Sequence, residues 1–158
     1  AVCIVSKNWG LEHFIIHSIQ ELVSKSASYR GVEVLVYSGS IQMFVMGDST
    51  TLTNINFPIS NVDTINWWHI VAVQEGEGGK PMRLYLNGQL KAQGTTPATI
   101  SNQPNLYFGY WNARGARYFN GYLDDIRLYG QGLSLAQIQD LYLAGAERIR
   151  LASSAHSL

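Results

Sequence analysis

FNGYLDDIRLYGQGLSLAQIQDLY, Phe119 to Tyr142, opens as a strand and closes as a helix, and two adjacent aspartates stand in its strand part. Phe119, Gly121 and Leu123 share one parity, and Ile126 and Leu128 the other. Side chains alternate along a regular strand, so these apolar groups cannot all face one way. A β-bulge at Asp124-Asp125 restores the alternation by inserting one residue, and it frees backbone groups that carboxylates can bind. The pair is therefore expected to be architectural. Two other uses stay open. Asp124 and Asp125 are candidate metal ligands, or they are paired catalytic carboxylates. The catalytic use needs a second carboxylate across a cleft, at roughly 5 to 10 Å for a glycosidase, whereas strand neighbours point to opposite faces.

The helical half begins with its own signal. Ser134 and Gln137 form a Ser-x-x-Gln capping box, and Leu133 can staple to Ile138. Ile138, Leu141 and Tyr142 then share one face, and Gly145 is the expected left-handed stop.

Upstream, the chain reads as strands separated by turns. VCIV (2–5), VEVLVY (32–37), IQMFVM (41–46), WWHIVAV (67–73), MRLYL (82–86) and LYFGY (106–110) are rich in β-branched and aromatic residues. Ser38-Gly39-Ser40, Gly47-Asp48-Ser49, the Gly-rich run 76–81 and Asn87-Gly88 supply turn chemistry. Short strands with short connections imply antiparallel pairing. In RLYLNGQLKA, Asn87-Gly88 predicts a two-residue type I′ hairpin, because both central positions need positive φ. HFIIHSIQELVS (13–24) fits a strand in its first half and a helical face along its length; strand then turn is the favoured reading.

Composition narrows the function. A chain of 158 residues with 46% hydrophobic content supports one domain with one core. Eleven basic residues balance eleven acidic ones without a basic run, so the electrostatic footprint of nucleic-acid or anionic-membrane binding is missing. Cys3 is the single cysteine, which excludes an internal disulfide and a Cys-rich zinc site and leaves the compartment open. No apolar run approaches the roughly 18 residues needed to span a bilayer as a helix. The first residue is Ala, which reads as a processed chain or an excised piece.

WWHIVAV (67–73), MRLYLNGQL (82–90), NLYFG (105–109) and residues 119–142, in that order and with those gaps, resemble the laminin-G-like, concanavalin A-like jelly-roll family. CIVSK (3–7) and residues 32–47 resemble its earlier strands. The resemblance implies an all-β fold, a two-sheet antiparallel jelly-roll sandwich with one short C-terminal helix. Residues 1–145 would form the domain, and 146–158 a tail that extends the helix or frays. It also implies a module that binds carbohydrate or protein, often on secreted proteins, so an extracellular or cell-surface location is favoured. Family members usually carry one or two further strands ahead of the one resembling CIVSK. Their absence here predicts an open sheet edge, and with it strand exchange, a homo-oligomer or a missing upstream segment. Some relatives hold calcium at one rim, which leaves calcium open; no other cofactor is implied.

The candidate ligand site is NLYFGYWNARGARY, 105–118. Tyr110, Trp111, Asn112, Arg114, Arg117 and Tyr118 fall in or beside one loop. An indole stacks on the apolar face of a pyranose, and arginines with an asparagine bind hydroxyls or a sugar carboxylate. The competing reading has Tyr110 and Trp111 capping the core and the arginines merely solvated. Trp67 and Trp68 are expected in the core, and His69 is expected to be a satisfied histidine. His13 and His17 suit a metal only on a helix. No glycanase Glu-x-Asp-x-x-Glu strand, GxSxG elbow, Cys/His pair or phosphate-binding loop occurs. Hence the expectation is a non-catalytic module for a glycan on the concave face or loop rim. The alternative is an adhesion domain that self-associates or docks a partner protein.

Overall fold

A computed structural model describes residues 2–8, 19–26, 31–47, 52–59, 67–100, 105–111 and 117–155. Its elements are β1 (Val2–Asn8), β2 (Gln20–Ser26), β3 (Gly31–Tyr37), β4 (Ser40–Met46), β5 (Leu52–Pro58), β6 (Trp68–Gln74), β7 (Pro81–Leu86) and β8 (Gln89–Thr95). They are followed by β9 (Tyr107–Phe108), β10 (Tyr110–Trp111), β11 (Arg117–Tyr118), β12 (Gly121–Leu128) and α1 (Leu135–Ala155). A first sheet has the order β12-β1-β6-β7-β8, a second the order β5-β4-β3-β2-β9, and β10-β11 form a separate pair. Every pairing is antiparallel.

The two five-stranded sheets face each other as a sandwich. Trp68, Ile70 and Ala72 of β6 and Met82, Leu84 and Leu86 of β7 meet Val34 and Val36 of β3, Ile41, Met43 and Val45 of β4, and Ile55 and Phe57 of β5 in one buried cluster. The alternate residues Val71, Val73 and Tyr85 point to the opposite side of the first sheet, where Leu133 and Ile138 cover them. Thus β6 is buried on both faces, one against the second sheet and one against α1 and the segment leading into it. His69 lies on that outer side, with its ring 5.9 Å from the Tyr142 ring of α1, and burial holds its pKa below the ordinary histidine value.

Asn87 and Gly88 adopt φ of +51° and +76° between β7 and β8, as the Asn-Gly dipeptide predicts. The Asn87 side chain adds a link, because its Oδ1 accepts from His69 N–H at 3.0 Å while Asn87 N–H donates to His69 O at 2.8 Å. The helix cap also has the expected geometry. Ser134 N–H donates to Gln137 Oε1 at 2.9 Å and Gln137 N–H donates to Ser134 Oγ at 3.3 Å. Gly145 does not stop the helix, however. Its φ is not positive, and α1 runs on to Ala155. One interior glycine costs only about 1 kcal/mol relative to alanine, and the Ala, Glu, Arg and Leu residues that follow have good helix propensity.

The bulge expected in the opening stretch lies on β12 at Asp125. Cys3 pairs with Arg127 and Val5 with Asp124, so Asp125 and Ile126 stand opposite the single residue Ile4. Asp125 has φ +47°, the left-handed conformation that an inserted bulge residue takes and that Asp tolerates better than most residues. The insertion brings Leu123 and Ile126 onto the core side together. Asp124 Oδ1 accepts the Asp125 N–H at 2.8 Å. Asp125 receives two 2.8 Å bonds from Arg127 and a 3.4 Å contact from Arg148 of α1. These carboxylates are therefore engaged in shaping the edge strand. Asp125→Asn keeps the left-handed tolerance and loses a half-exposed ion pair, for an expected cost below about 1 kcal/mol. Asp125→Val adds roughly 1–2 kcal/mol of backbone strain. Chemical denaturation of both variants measures the difference, and equal costs would remove the bulge conformation as their source.

Candidate binding face

The outer side of the first sheet is covered by α1, and the outer side of the second sheet changes in exposure along its register. Its residues follow from register. Asn56 of β5 lies beside Gln42 of β4, Gln42 beside Leu35 of β3, and Leu35 beside Glu21 of β2. A second row runs Asn54, Phe44, Glu33, Ser24 and, on β9, Tyr107. Both rows pass from open to closed. Asn56 is exposed and Asn54, Gln42 and Phe44 are half-buried, whereas Leu35, Glu33, Ser24 and Glu21 are buried.

The amides are linked. Asn56 Nδ2 donates to Asn54 Oδ1 at 2.9 Å, Asn54 Nδ2 donates to Gln42 Oε1 at 3.3 Å, and Gln42 Nε2 donates to Ser40 Oγ at 3.0 Å. Each amide thus has a fixed orientation and retains further donor and acceptor capacity toward solvent. Sequence reasoning missed this row because residues 52–58, LTNINFP, were not read as a strand. Asparagine is depleted in strands, yet Thr53, Ile55 and Phe57 alternate with Leu52, Asn54 and Asn56, and that period of two was the available signal.

At the closed end the chain leaves the sheet. The strand expected over 106–110 breaks at Gly109, whose φ is +65°. Gly109 N–H donates to Leu22 O at 3.0 Å and its carbonyl accepts Phe119 N–H at 2.9 Å, which anchors the departure of β10 from β9. Tyr110 then pairs with Tyr118 and Trp111 with Arg117. The Tyr110 and Tyr118 rings stack with centroids 5.2 Å apart, and Tyr107 meets Tyr110 edge-on at 5.7 Å. Arg117 Cζ lies 4.1 Å from the Trp111 ring centroid, a cation–π contact. Trp111 is 0% exposed and Tyr118 is 64% exposed. A stacking role for the Trp111 indole would need this ring uncovered. The ring is enclosed with the Arg117 guanidinium against it, so it supports the hairpin, and Tyr118 presents the open ring. Asn112 and Arg114 lie outside the described residues.

Glu21 was not foreseen. It is 0% exposed, and neither carboxylate oxygen has a hydrogen-bond partner. Burial pushes its pKa up to about 9, the nearby Glu33 carboxylate raises it further, and Arg117 pulls it down. Arg117 of the β10-β11 hairpin is thus near enough to Glu21 to act on its charge. Among the described residues no group of three or more His, Cys, Asp or Glu could hold a metal ion, and no helix is long and apolar enough to cross a membrane.

Two five-stranded antiparallel sheets packed face to face, with a helix over the outer side of one, give the architecture of the lectin-like sandwiches. The chain belongs to the concanavalin A-like lectin/glucanases superfamily, whose family model Laminin_G_3 matches residues 10–139. Comparison with curated proteins gives no sequence match. Among solved structures the chain is similar to the receptor-binding domain of botulinum neurotoxin mosaic serotype C/D, with TM-score 0.71 at 15% identity over 90% of this chain and 35% of that one. It is also similar to the receptor-binding domain of botulinum neurotoxin type G, with TM-score 0.68 at 14% identity over 91% and 37%. The binding domain of botulinum neurotoxin DC, solved in complex with SialylT, gives TM-score 0.70 at 13% identity over 90% and 35%. The chain thus spans about a third of the length of these domains, and the likeness is one of fold.

Proposed function

We propose that this chain is a non-catalytic carbohydrate-binding module that works outside the cell or at its surface. Its binding face would be the outer side of the second sheet, from the Gln42-Asn54-Asn56 amides to the Tyr110-Tyr118 hairpin. The carrying observation is that the second sheet bears a row of linked, accessible amides at one end of its outer side and stacked tyrosines beside a guanidinium on the β10-β11 hairpin. Amides pair with the vicinal hydroxyls of a sugar, an exposed tyrosine ring packs against its apolar face, and Arg117 favours a sugar that carries a carboxylate. Glycan and protein complexes of the similar neurotoxin domains, one with SialylT and one with rat synaptotagmin II, support a binding role for this architecture. The non-catalytic reading rests on the carboxylates of the same face. Glu21 and Glu33 are 0% and 4% exposed, which closes them to a glycosidic bond.

A glycan array, run with and without calcium, followed by titration of the strongest hit, tests the reading. Tyr118→Ala and Asn54→Ala are each expected to weaken binding at least tenfold. Because Tyr118 is exposed and Asn54 half-buried, their melting temperatures should stay within about 3 °C of wild type. An array without retained glycans in either condition would refute the proposal. The second reading, an adhesion domain, draws on the edge position of β12, where Tyr122 and Leu128 are 57% and 55% exposed. Self-association in light scattering together with a blank array would favour it.

A further inference from the structure

Between the two sheets, away from the open face, lies a cavity of about 390 Å³. Its apolar wall comes from Val23, Val34, Met43 and Ala72, all at most 5% exposed, and from Leu106. The space is a cleft that opens to solvent where Lys25 and Leu128 are exposed and reaches inward to buried side chains of the core. It falls within the range of about 300–1000 Å³ typical of small-molecule sites.

The wall also carries polar groups. Lys25, Gln74 and Tyr129 line the cavity beside the half-exposed Leu128. Lys25 lies beside Val32, two residues beyond the Val23-Val34 pair, so register turns its stem toward the sandwich interior. It is nevertheless exposed and makes no ion pair among the described residues. A long aliphatic stem along an apolar wall with its ammonium in water is the usual compromise for such a lysine. Here it sets a cation where the apolar space meets solvent.

We propose that the inter-sheet cavity is a second binding site, for an amphipathic carboxylate of the medium-chain fatty-acid class. The hydrocarbon would lie between Val34, Met43 and Ala72, and the carboxylate would pair with Lys25. Charge complementarity selects this class over a neutral apolar ligand. A competing role for Lys25 comes from the sheet edge. The paired register of β2 with β9 covers Val23 and Ser24 and ends before Lys25, and inward-pointing charges guard such strand ends against strand addition.

Titration of the intact chain with sodium decanoate and with decan-1-ol, read by tryptophan fluorescence and checked by calorimetry, separates the two roles. Trp68 shares the buried cluster with the cavity wall and supplies the signal. Saturable one-to-one binding of decanoate, at least tenfold tighter than decanol, is expected. Lys25→Met should erase that preference while leaving decanol binding unchanged. Leu128→Trp, a change at a half-exposed position that leaves the core intact, should obstruct the mouth and weaken both. Failure of wild type to bind either compound overturns the site. Equal affinity for both, unchanged in Lys25→Met, overturns the anionic ligand and leaves Lys25 as an edge guard.

Discussion

Leucine in place of Glu21 is expected to raise the stability of the domain at neutral pH by roughly 1–3 kcal/mol, the usual cost of a buried polar group without a hydrogen-bond partner. Both Glu21 oxygens lack such a partner, and the side chain has no exposed surface. Its folded pKa is about 9 against an ordinary 4.5, with burial as the first cause, the Glu33 carboxylate as the second and Arg117 opposing both. The folded state therefore prefers the protonated acid. The stability tied to that proton is fully present below about 4.5 and is lost as pH rises through about 9. Wild type should be more stable at pH 5 than at pH 8, and Glu21→Gln, which cannot ionise, should flatten that slope. Thermal melts of wild type and both variants across this range provide the measurement. A leucine variant less stable than wild type, with an unchanged slope in the glutamine variant, would show that Glu21 is an ionised and satisfied group.

Glu21 also shows where reading the sequence alone ends. The Asn87-Gly88 turn, the Ser134-Gln137 cap and the β12 bulge were legible because each is decided within a few residues, by φ preference, by a side chain reaching three residues along, or by a break in parity. The fold was legible from four such stretches in order. The face was not. Glu21 sits in QELVS, which reads as one more polar residue in a strand, and its burial beside Leu35 of β3 is a tertiary outcome that no local pattern announces. Trp111 was singled out as a stacking ring, but its burial was not legible. Its enclosure depends on the left-handed turn at Gly109 and on where the Arg117 guanidinium comes to rest, and neither can be read from the string NLYFGYWNARGARY. Asn54 and Asn56 were passed over because their residue type argued against a strand while their spacing argued for one. The spacing decided the outcome, since Ile55 and Phe57 alternate with them and enter the core.

Gly88→Val combines two penalties at a single position and is expected to destabilise the domain by roughly 2–6 kcal/mol, the sum of backbone strain and overpacking at their ordinary sizes. The strain arises because Gly88 has φ +76°, where a β-branched residue is a steric outlier. The overpacking arises because a Cβ there would lie 3.3 Å from Tyr142 Cδ1 and 3.6 Å from Gln139 Cγ, so the hairpin tip would push against α1. Displacing α1 would loosen the Ile138 contact over Val71, Val73 and Tyr85, the smaller of the two buried clusters. Two further variants separate the terms. Gly88→Asn places a residue that tolerates left-handed φ at the same site, so its cost reports mainly the contact with Tyr142. Tyr142→Ala combined with Gly88→Val removes the ring from the path of the new methyl groups, and a double-mutant cycle gives the steric coupling directly. A positive coupling of about 1 kcal/mol or more is the expected sign that the hairpin and the helix are packed together. Wild-type melting for Gly88→Val would refute the turn conformation. A strong loss without coupling would instead place the whole cost in the backbone and detach the helix from the hairpin.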